Sequence, residues 1–286
     1  MLMPRALAAL PCLLLPLVAC TDDPTPLARV EMLSDRAAAS DAALSPDGAV
    51  AFFAGQDGTT AVVGRLDADG APVELLRGGL LRSARGLVAL DATTVYVADE
   101  VGDAVVKVGA GAPVTVAATM GTRPRAVELD GAGALYWVGV DGDDPAVFAL
   151  TGEARRVIAR DGRFTALAGL DVAADGTVYV TDEAGAVFRI ADGVVTVLAD
   201  DVSLGTPAGV ALTPDDATVM VSSLDASHHS QVLLLDAATG ARSTFNDTIG
   251  ANTGSGGLHR AQAAGDRFIW CGVTATGPVV YRVTLD

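Results

Sequence analysis

Short apolar segments recur along the chain at nearly constant intervals, with polar turn residues between them. Six of these segments have the character of buried strands: Val50-Ala51-Phe52-Phe53, Val95-Tyr96-Val97, Leu135-Tyr136-Trp137, Val178-Tyr179-Val180, Val219-Met220-Val221 and Phe268-Ile269-Trp270. Their intervals of 44, 40, 43, 41 and 49 residues are counted between Ala51, Val95, Leu135, Val178, Val219 and Phe268. An all-β pattern with a period of about 40–50 residues is typical of β-propeller blades.

The surroundings of each segment predict four strands per repeat. A first strand precedes the segment and ends in a turn, as in Ser45-Pro46-Asp47-Gly48, whose residue types suit tight hairpins. A third strand, such as residues 186–190, and a fourth, such as residues 194–198, follow it. One such sheet cannot bury both faces alone, but six sheets around an axis can, because each packs on two neighbours. The sequence therefore predicts an all-β, six-bladed β-propeller.

The last repeat has no fourth strand at its own end. Residues 281–286 match a third strand, whereas residues 28–35 at the front of the chain have the pattern of a fourth. We therefore expect residues 28–35 to pair with residues 279–285 and to close the ring, so that residues 28–286 form one domain. Closure removes sheet edges that would otherwise invite association, and we expect a monomer.

Residues 1–19 have the composition of a signal peptide. Arg5 precedes an apolar stretch of the expected length. The stretch is short for a membrane-spanning helix and is interrupted by Pro11 and Pro16. It is followed by a cysteine, so the segment is either an ordinary secretory signal with a chance cysteine or the signal of a lipoprotein.

The residues around that cysteine favour the lipoprotein. Leu17-Val18-Ala19-Cys20 resembles the bacterial lipobox, which implies cleavage before Cys20 and acylation of its thiol. Two or more acyl chains anchor a protein stably to a bilayer, and residues 20–27 would form the tether. Thr21 directly after the cysteine favours the outer over the inner membrane in the sorting rule that this resemblance implies. We expect a lipid-anchored protein of the cell envelope.

The composition argues against a nucleic-acid partner and against an internal disulfide. The formal net charge is -16 and the pI is about 4.4, so the surface repels phosphate backbones and a nucleic-acid partner is not expected. The chain has three cysteines, Cys12, Cys20 and Cys271. With Cys12 removed and Cys20 acylated, Cys271 has no partner for a disulfide. No cofactor is expected.

Several motifs resemble the NHL-repeat and SMP-30/gluconolactonase group of six-bladed propellers. They are Val95-Tyr96-Val97-Ala98-Asp99, Val178-Tyr179-Val180-Thr181-Asp182 and Pro207-Ala208-Gly209-Val210-Ala211-Leu212. The likeness covers nearly all of residues 28–286. Such repeats specify a fold better than a function.

The gluconolactonase members of that group hold one divalent metal at the channel mouth, with acidic or amide side chains that often stand just before a blade-opening glycine. The corresponding positions here are mostly cationic or apolar: Arg85, Arg125, Ala168, Ala208 and Gly256. In the first blade Asp41 could serve. A hard cation needs several oxygen ligands and guanidinium groups nearby oppose it, so we expect no metal site.

Charged loops are predicted on one face of the ring, which we call the top face. It carries the loops that enter each first strand and those that join second to third strands. Arg85, Arg125, Asp99 and Asp182 lie in these loops and are candidates for holding a small anionic ligand or a protein partner. The alternative is that these charges neutralise one another and that the aspartates cap turns.

His259 lies on the predicted inner strand of the sixth blade and is expected to face the channel. It is either a general base or a hydrogen-bonded channel residue. His228 and His229 lie in a polar loop and are expected to be solvated. Cys271 occupies the strand position of Ala98, Val138 and Thr181, so packing accounts for it.

Two functional hypotheses follow. The first is a membrane-anchored, non-catalytic binding or assembly propeller that presents its top-face loops to a ligand or partner, because no catalytic residues are predicted to assemble. The alternative is a hydrolase or lyase of the SMP-30/gluconolactonase or streptogramin-lyase type that acts at the channel mouth. Three convergent oxygen ligands at the channel mouth, or a histidine there within hydrogen-bond reach of a carboxylate, would favour the enzyme; without either, the enzyme hypothesis has no basis.

Overall fold

Six four-stranded antiparallel sheets follow one another along the chain and form the blades of a propeller. The structure is a computed structural model that describes residues 28–205, 208–245, 254–274 and 276–285. The predicted signal peptide, the lipid site Cys20 and the tether of residues 20–27 lie outside the described residues. The strands of each blade are given from the channel outwards.

The first three blades use strands that are consecutive in sequence. Blade 1 consists of β2 (Asp41–Leu44), β3 (Ala51–Asp57), β4 (Thr60–Leu66) and β5 (Pro72–Arg77). Blade 2 consists of β6 (Ala84–Ala89), β7 (Val95–Asp99), β8 (Ala104–Val108) and β9 (Val114–Val116), after which Ala117–Thr119 form one 3-10 turn. Blade 3 consists of β10 (Ala126–Leu129), β11 (Leu135–Asp141), β12 (Asp144–Thr151) and β13 (Ala154–Arg160).

The next two blades repeat this order, and the last one departs from it. Blade 4 consists of β14 (Leu167–Val172), β15 (Val178–Asp182), β16 (Ala186–Ala191) and β17 (Val194–Ala199). Blade 5 consists of β18 (Val210–Leu212), β19 (Thr218–Leu224), β20 (Ser230–Asp236) and β21 (Arg242–Phe245). Blade 6 consists of β22 (Gly254–Arg260), β23 (Arg267–Thr274), β24 (Gly277–Leu285) and, outermost, β1 (Ala28–Ser34).

The predicted ring closure is confirmed. Strand β1 pairs antiparallel with β24, from Ala28 opposite Leu285 to Ser34 opposite Val280. The same strand also touches blade 1, because Ser34 Oγ donates a 2.7 Å hydrogen bond to Gly70 O in the β4–β5 turn. One N-terminal strand therefore joins the last blade to the first.

The core consists of apolar layers between neighbouring blades. Phe52 of blade 1 packs with Leu87 and Val97 of blade 2, and Met220 of blade 5 packs with Trp270 of blade 6. Each such side chain contributes about 1.5–3 kcal/mol when it is fully buried. The inner strands follow one another around the ring as β2, β6, β10, β14, β18 and β22, which in turn contacts β2. Blades 3 and 6 therefore face each other across the channel.

Very small residues let the inner strands approach closely. Gly257 of β22 is one such position, because a Cβ there would overlap Asp41 Oδ1 of blade 1. Asp41 opposes Ala54, Gly86 opposes Ala98 and Gly169 opposes Thr181 in the strand register. Blade 1 thus carries a carboxylate at the level where other blades carry a glycine. In the described part of the chain, no helix is long and apolar enough to span a membrane.

Candidate functional site

The strand register brings polar residues of three inner strands to one level of the channel. Glu128 opposes Tyr136, Asp171 opposes Tyr179 and His259 opposes Ile269. The equivalent residues of the other inner strands are Ala43, Val88 and Ala211. An acidic residue inside an apolar strand is costly unless it is paired, so these side chains are expected to meet.

His259 lies between two carboxylates that come from different blades. Its Nε2 is 3.0 Å from Asp41 Oδ1 and 3.1 Å from Asp41 Oδ2, and its Nδ1 is 3.2 Å from Glu128 Oε2. The histidine side chain is 7% exposed, and both carboxylates are more deeply buried. Blades 1, 3 and 6 thus meet in one hydrogen-bonded group, which we call the channel triad (Asp41, His259 and Glu128).

Backbone amides and one amide side chain fix the two carboxylates. Asp41 accepts hydrogen bonds from the backbone N–H groups of Ala42 at 3.0 Å and Leu87 at 3.0 Å. Glu128 accepts from Leu129 N at 2.9 Å and from Gln262 Nε2 at 3.3 Å. A buried polar network that is satisfied on every side is rigid, so the imidazole has one orientation.

The surroundings of His259 favour its charged form. Burial by itself lowers the pKa of His259, but the charges of Asp41 and Glu128 and their hydrogen bonds outweigh burial and raise the pKa well above its ordinary value. An imidazolium donates at both ring nitrogens, which matches an acceptor on each side. The triad is therefore an imidazolium between two acceptors.

A second group of charges lies beside the triad and extends along the channel away from the top face. Arg260 Nε is 3.4 Å from Asp171 Oδ2, and Arg260 Nη1 donates to Asp216 Oδ1 at 3.0 Å. Burial raises the pKa of Asp171 to about 7, although the charge of Arg260 opposes the shift; the charge of Glu128 adds to it. This links the two groups electrostatically and gives Asp171 a proton near neutral pH.

The top-face arginines form a chain of ion pairs. Arg85 Nε donates to Glu100 Oε2 at 2.7 Å, and Arg125 Nε is 3.5 Å from Glu100 Oε1. Arg125 Nη2 also donates to Glu183 Oε1 at 2.6 Å. Arg85 and Arg125 are thus brought together through Glu100, so acids of neighbouring top-face loops neutralise both arginines. Each of the four residues lies on a top-face loop or strand end of blades 2, 3 or 4.

Asp99 and Asp182 lie beneath the same loops and are buried. Asp99 accepts from the backbone N–H groups of Arg82 and Ser83, both at 2.8 Å, and of Gly102. Asp182 likewise accepts hydrogen bonds from the backbone N–H groups of Thr165 and Ala166. Both carboxylates shape the loops that enter β6 and β14, and the structure does not bring them to His259.

Two cavities open on the top face on either side of Glu100. The larger, of about 500 Å³, lies between blades 6, 1 and 2 and is lined by Ser40, Gln56, Ser83, Arg85, Glu100, Cys271 and apolar residues. The smaller, of about 260 Å³, lies beside Arg125. Ser40, which lines the larger cavity, directly precedes Asp41 in the chain, but Asp41, Glu128 and His259 are not themselves among the lining residues of either cavity.

The donor set does not suit a divalent metal. No group of three or more His, Cys, Asp or Glu side chains among the described residues is arranged to hold one. At the level of Asp41 the neighbouring strands β6 and β22 offer Gly86 and Gly257, and β14 of blade 4 offers Gly169; none of the three has a side-chain ligand. Both oxygens of Asp41 already accept hydrogen bonds.

Sequence reasoning placed His259 and Asp41 on inner strands but missed Glu128 and Asp171. The signal for both was present, because each is an acidic residue within an apolar inner strand, in Ala126-Val127-Glu128-Leu129 and in Leu170-Asp171-Val172. Cys271 is buried in the packed position that the sequence predicts, and burial raises the pKa of its thiol well above the ordinary value. Its thiol is therefore neutral.

Comparison with known proteins identifies the fold. By sequence, the chain matches no protein-family model and no curated protein. By structure, it is similar to XC5397 of Xanthomonas campestris, a gluconolactonase, with a TM-score of 0.66, 18% identity and coverage of 91% of this chain and 90% of that one. This chain therefore has the same fold as that gluconolactonase.

Two lyases share that fold at lower identity. A streptogramin B lyase has a TM-score of 0.60 and 11% identity and covers 91% of this chain and 98% of its own. A catalytically inactive histidine-to-alanine variant of virginiamycin B lyase from Staphylococcus aureus, solved with quinupristin, has a TM-score of 0.58 and 10% identity, with coverage of 91% and 99%. The six-bladed propeller predicted from the sequence is confirmed, and its structural neighbours include gluconolactonases and lyases.

The buried channel groups predict that stability falls as pH rises. The folded-state pKa of Asp171 is about 7 and that of His259 is raised, so the stabilisation from each is complete below its unfolded pKa and is lost as pH rises through its folded pKa. We expect the melting temperature to be higher at pH 5 than at pH 8 in thermal scans. Asp171→Asn should flatten the dependence between pH 4 and 7; a melting temperature that rises over this range would contradict the assignment.

Proposed function

We propose that the protein is a hydrolase or lyase that works by acid–base chemistry at the channel triad, on a substrate held in the larger top-face cavity. The observation that carries the proposal is the hydrogen bonding of His259 to both Asp41 and Glu128. A histidine within hydrogen-bond reach of a carboxylate is one arrangement that supports general acid–base chemistry.

Asp41 is the member of the triad that is joined directly to the cavity lining, because it follows Ser40 in the chain. In the proposed reaction its carboxylate takes the proton from water or from a substrate C–H group. Asp41 then gives that same proton to the leaving oxygen, and His259, whose Nε2 is 3.0 Å from Asp41 Oδ1, stabilises the carboxylate before and after the transfer. Glu128 accepts a hydrogen bond from Nδ1–H of the ring and so fixes the orientation of the ring.

Arg85 supplies the positive charge at the cavity. Its Nε is held by Glu100 at 2.7 Å, which leaves the two Nη groups available to a ligand. A guanidinium in a fixed position stabilises negative charge that develops on a carbonyl or leaving oxygen. The proposed reaction is written without a metal, since the described residues do not form a metal site.

The structural neighbours support an enzyme over the non-catalytic hypothesis. They include a gluconolactonase and a streptogramin B lyase. In one of them, virginiamycin B lyase, replacing a single histidine by alanine gives a catalytically inactive protein.

The test is turnover of a panel of cyclic and open esters, including gluconolactone, aryl esters and virginiamycin B, followed by proton release and product analysis. We expect at least one class to be cleaved, with no loss when a chelator is added. Asp41→Asn and His259→Gln should each lower turnover by about 10²–10⁴-fold, the usual contribution of a positioned acid or base.

His229→Gln is the matched control, because His229 forms an exposed ion pair with Asp225 in the β19–β20 loop. It should leave turnover unchanged. Turnover that survives both triad variants would place the chemistry elsewhere, and no turnover of any panel member would favour the non-catalytic binding propeller. Circular dichroism of each variant separates lost chemistry from lost folding.

We further propose that the enzyme is held at a membrane of the cell envelope through acylated Cys20. Leu17-Val18-Ala19-Cys20 and the polar residues after it support this. Expressed in a Gram-negative host, the protein should incorporate labelled palmitate and partition into detergent, and Cys20→Ser should abolish both. An unlabelled, freely soluble wild-type protein would contradict the proposal.

A further inference from the structure

The larger top-face cavity has an apolar side. Val101 of the β7–β8 loop and Val273 of β23 are 65% and 42% exposed, and both line this cavity together with Pro278 and the alanines at positions 38, 39 and 84. Single exposed apolar side chains are common on protein surfaces. Two that come from different blades and border one cavity indicate a binding surface.

The same cavity also carries a guanidinium with free donors. Arg85 is 38% exposed, and its Nε is bound by Glu100. Neither Nη group of Arg85 has a hydrogen-bond partner among the residues that the structure describes. Because Nε is fixed, the four remaining N–H bonds form a preorganised fork for a carboxylate or carbonyl oxygen.

We propose that this cavity binds amphiphilic acyl compounds, with the alkyl chain against Val101, Val273 and Pro278 and the carboxylate or ester carbonyl oxygen at Arg85. The cavity volume of about 500 Å³ lies within the range of small-molecule sites. Only the role of this ligand as substrate rests on the proposed function; its binding does not.

The experiment measures binding of butanoate, hexanoate and octanoate to the full chain by isothermal titration calorimetry. Each buried methylene should tighten binding by about fourfold in Kd, so that octanoate binds much more tightly than butanoate. Arg85→Gln should weaken all three carboxylates by about the same factor, because it removes the contact that they share. Val101→Ser should weaken octanoate severalfold and leave butanoate nearly unchanged.

Val114→Ser is the matched control, because Val114 is a 59% exposed valine on the outer strand β9, away from the cavity. It should leave all three Kd values unchanged. A Kd independent of chain length, or equal effects of Val101→Ser and Val114→Ser, would overturn the inference. Binding with the expected chain-length dependence but no ester turnover would uphold the ligand class and overturn only the proposed function.

Discussion

Replacing His259 with alanine is expected to destabilise the folded protein by about 3–5 kcal/mol, which is the cost of leaving a buried charge without its partner. The histidine is the shared partner of Asp41 and Glu128, at 3.0 and 3.2 Å. Its loss leaves two negative charges close together at a level of the channel that solvent hardly reaches. Denaturant unfolding monitored by tryptophan fluorescence would measure the change.

The cause can be separated from simple loss of packing. Adding Glu128→Gln to His259→Ala should recover part of the lost stability, because it removes one of the uncompensated charges. His229→Ala breaks an exposed ion pair instead and should cost no more than about 1 kcal/mol. If His259→Ala were as mild as His229→Ala, the channel triad would not hold blades 1, 3 and 6 together.

Removing β1 is the other change with a large expected effect. A chain that begins at residue 34 loses the β1 residues that pair with β24 from Met32 back to Ala28. At roughly 1 kcal/mol for each ladder hydrogen bond, we expect a loss of about 5 kcal/mol. Strand β24 would become a nine-residue edge, and a long apolar edge favours aggregation. Size-exclusion chromatography and thermal melting would show both effects.

The control is a chain that begins at residue 26 and keeps β1 complete. It should remain monomeric and melt at the temperature of the longer chain. Arg282→Gln, which removes only the 2.5 Å ion pair with Glu31 between β24 and β1, should have a small effect, since the pair is solvent-exposed. Equal melting temperatures for the chains that begin at residues 26 and 34 would show that β1 does not close the ring.

The architecture could be predicted from the sequence because its evidence is local. Strand alternation, turn residues and the blade period are visible within any stretch of about 45 residues. Ring closure could be predicted by counting the strands of each repeat, because the last repeat lacks a fourth strand and residues 28–35 supply one. The pairing of Ala28 with Leu285 follows from that count, although the two residues lie at opposite ends of the domain.

The site was predicted only in part. His259 could be placed on an inner strand from its repeat position, but its hydrogen bond to Glu128 joins residues 131 positions apart. Nothing local to either residue reports that blades 3 and 6 face each other across the channel. In the same way, Arg85 and Arg125 were recognised as top-face residues, but the acid that joins them, Glu100, became evident only in the folded loops.

The sequence by itself therefore determined the fold, the position of its closing strand and which residues lie on the inner strands, since these depend on periodicity along the chain. Only the tertiary structure decided which inner-strand side chains meet. It showed that Asp99 and Asp182 accept hydrogen bonds from loop backbone, whereas Asp41 and Glu128 hold His259. The physical reason is that contacts across the channel depend on the angle between blades and on strand register. The sequence of a single repeat determines neither of them.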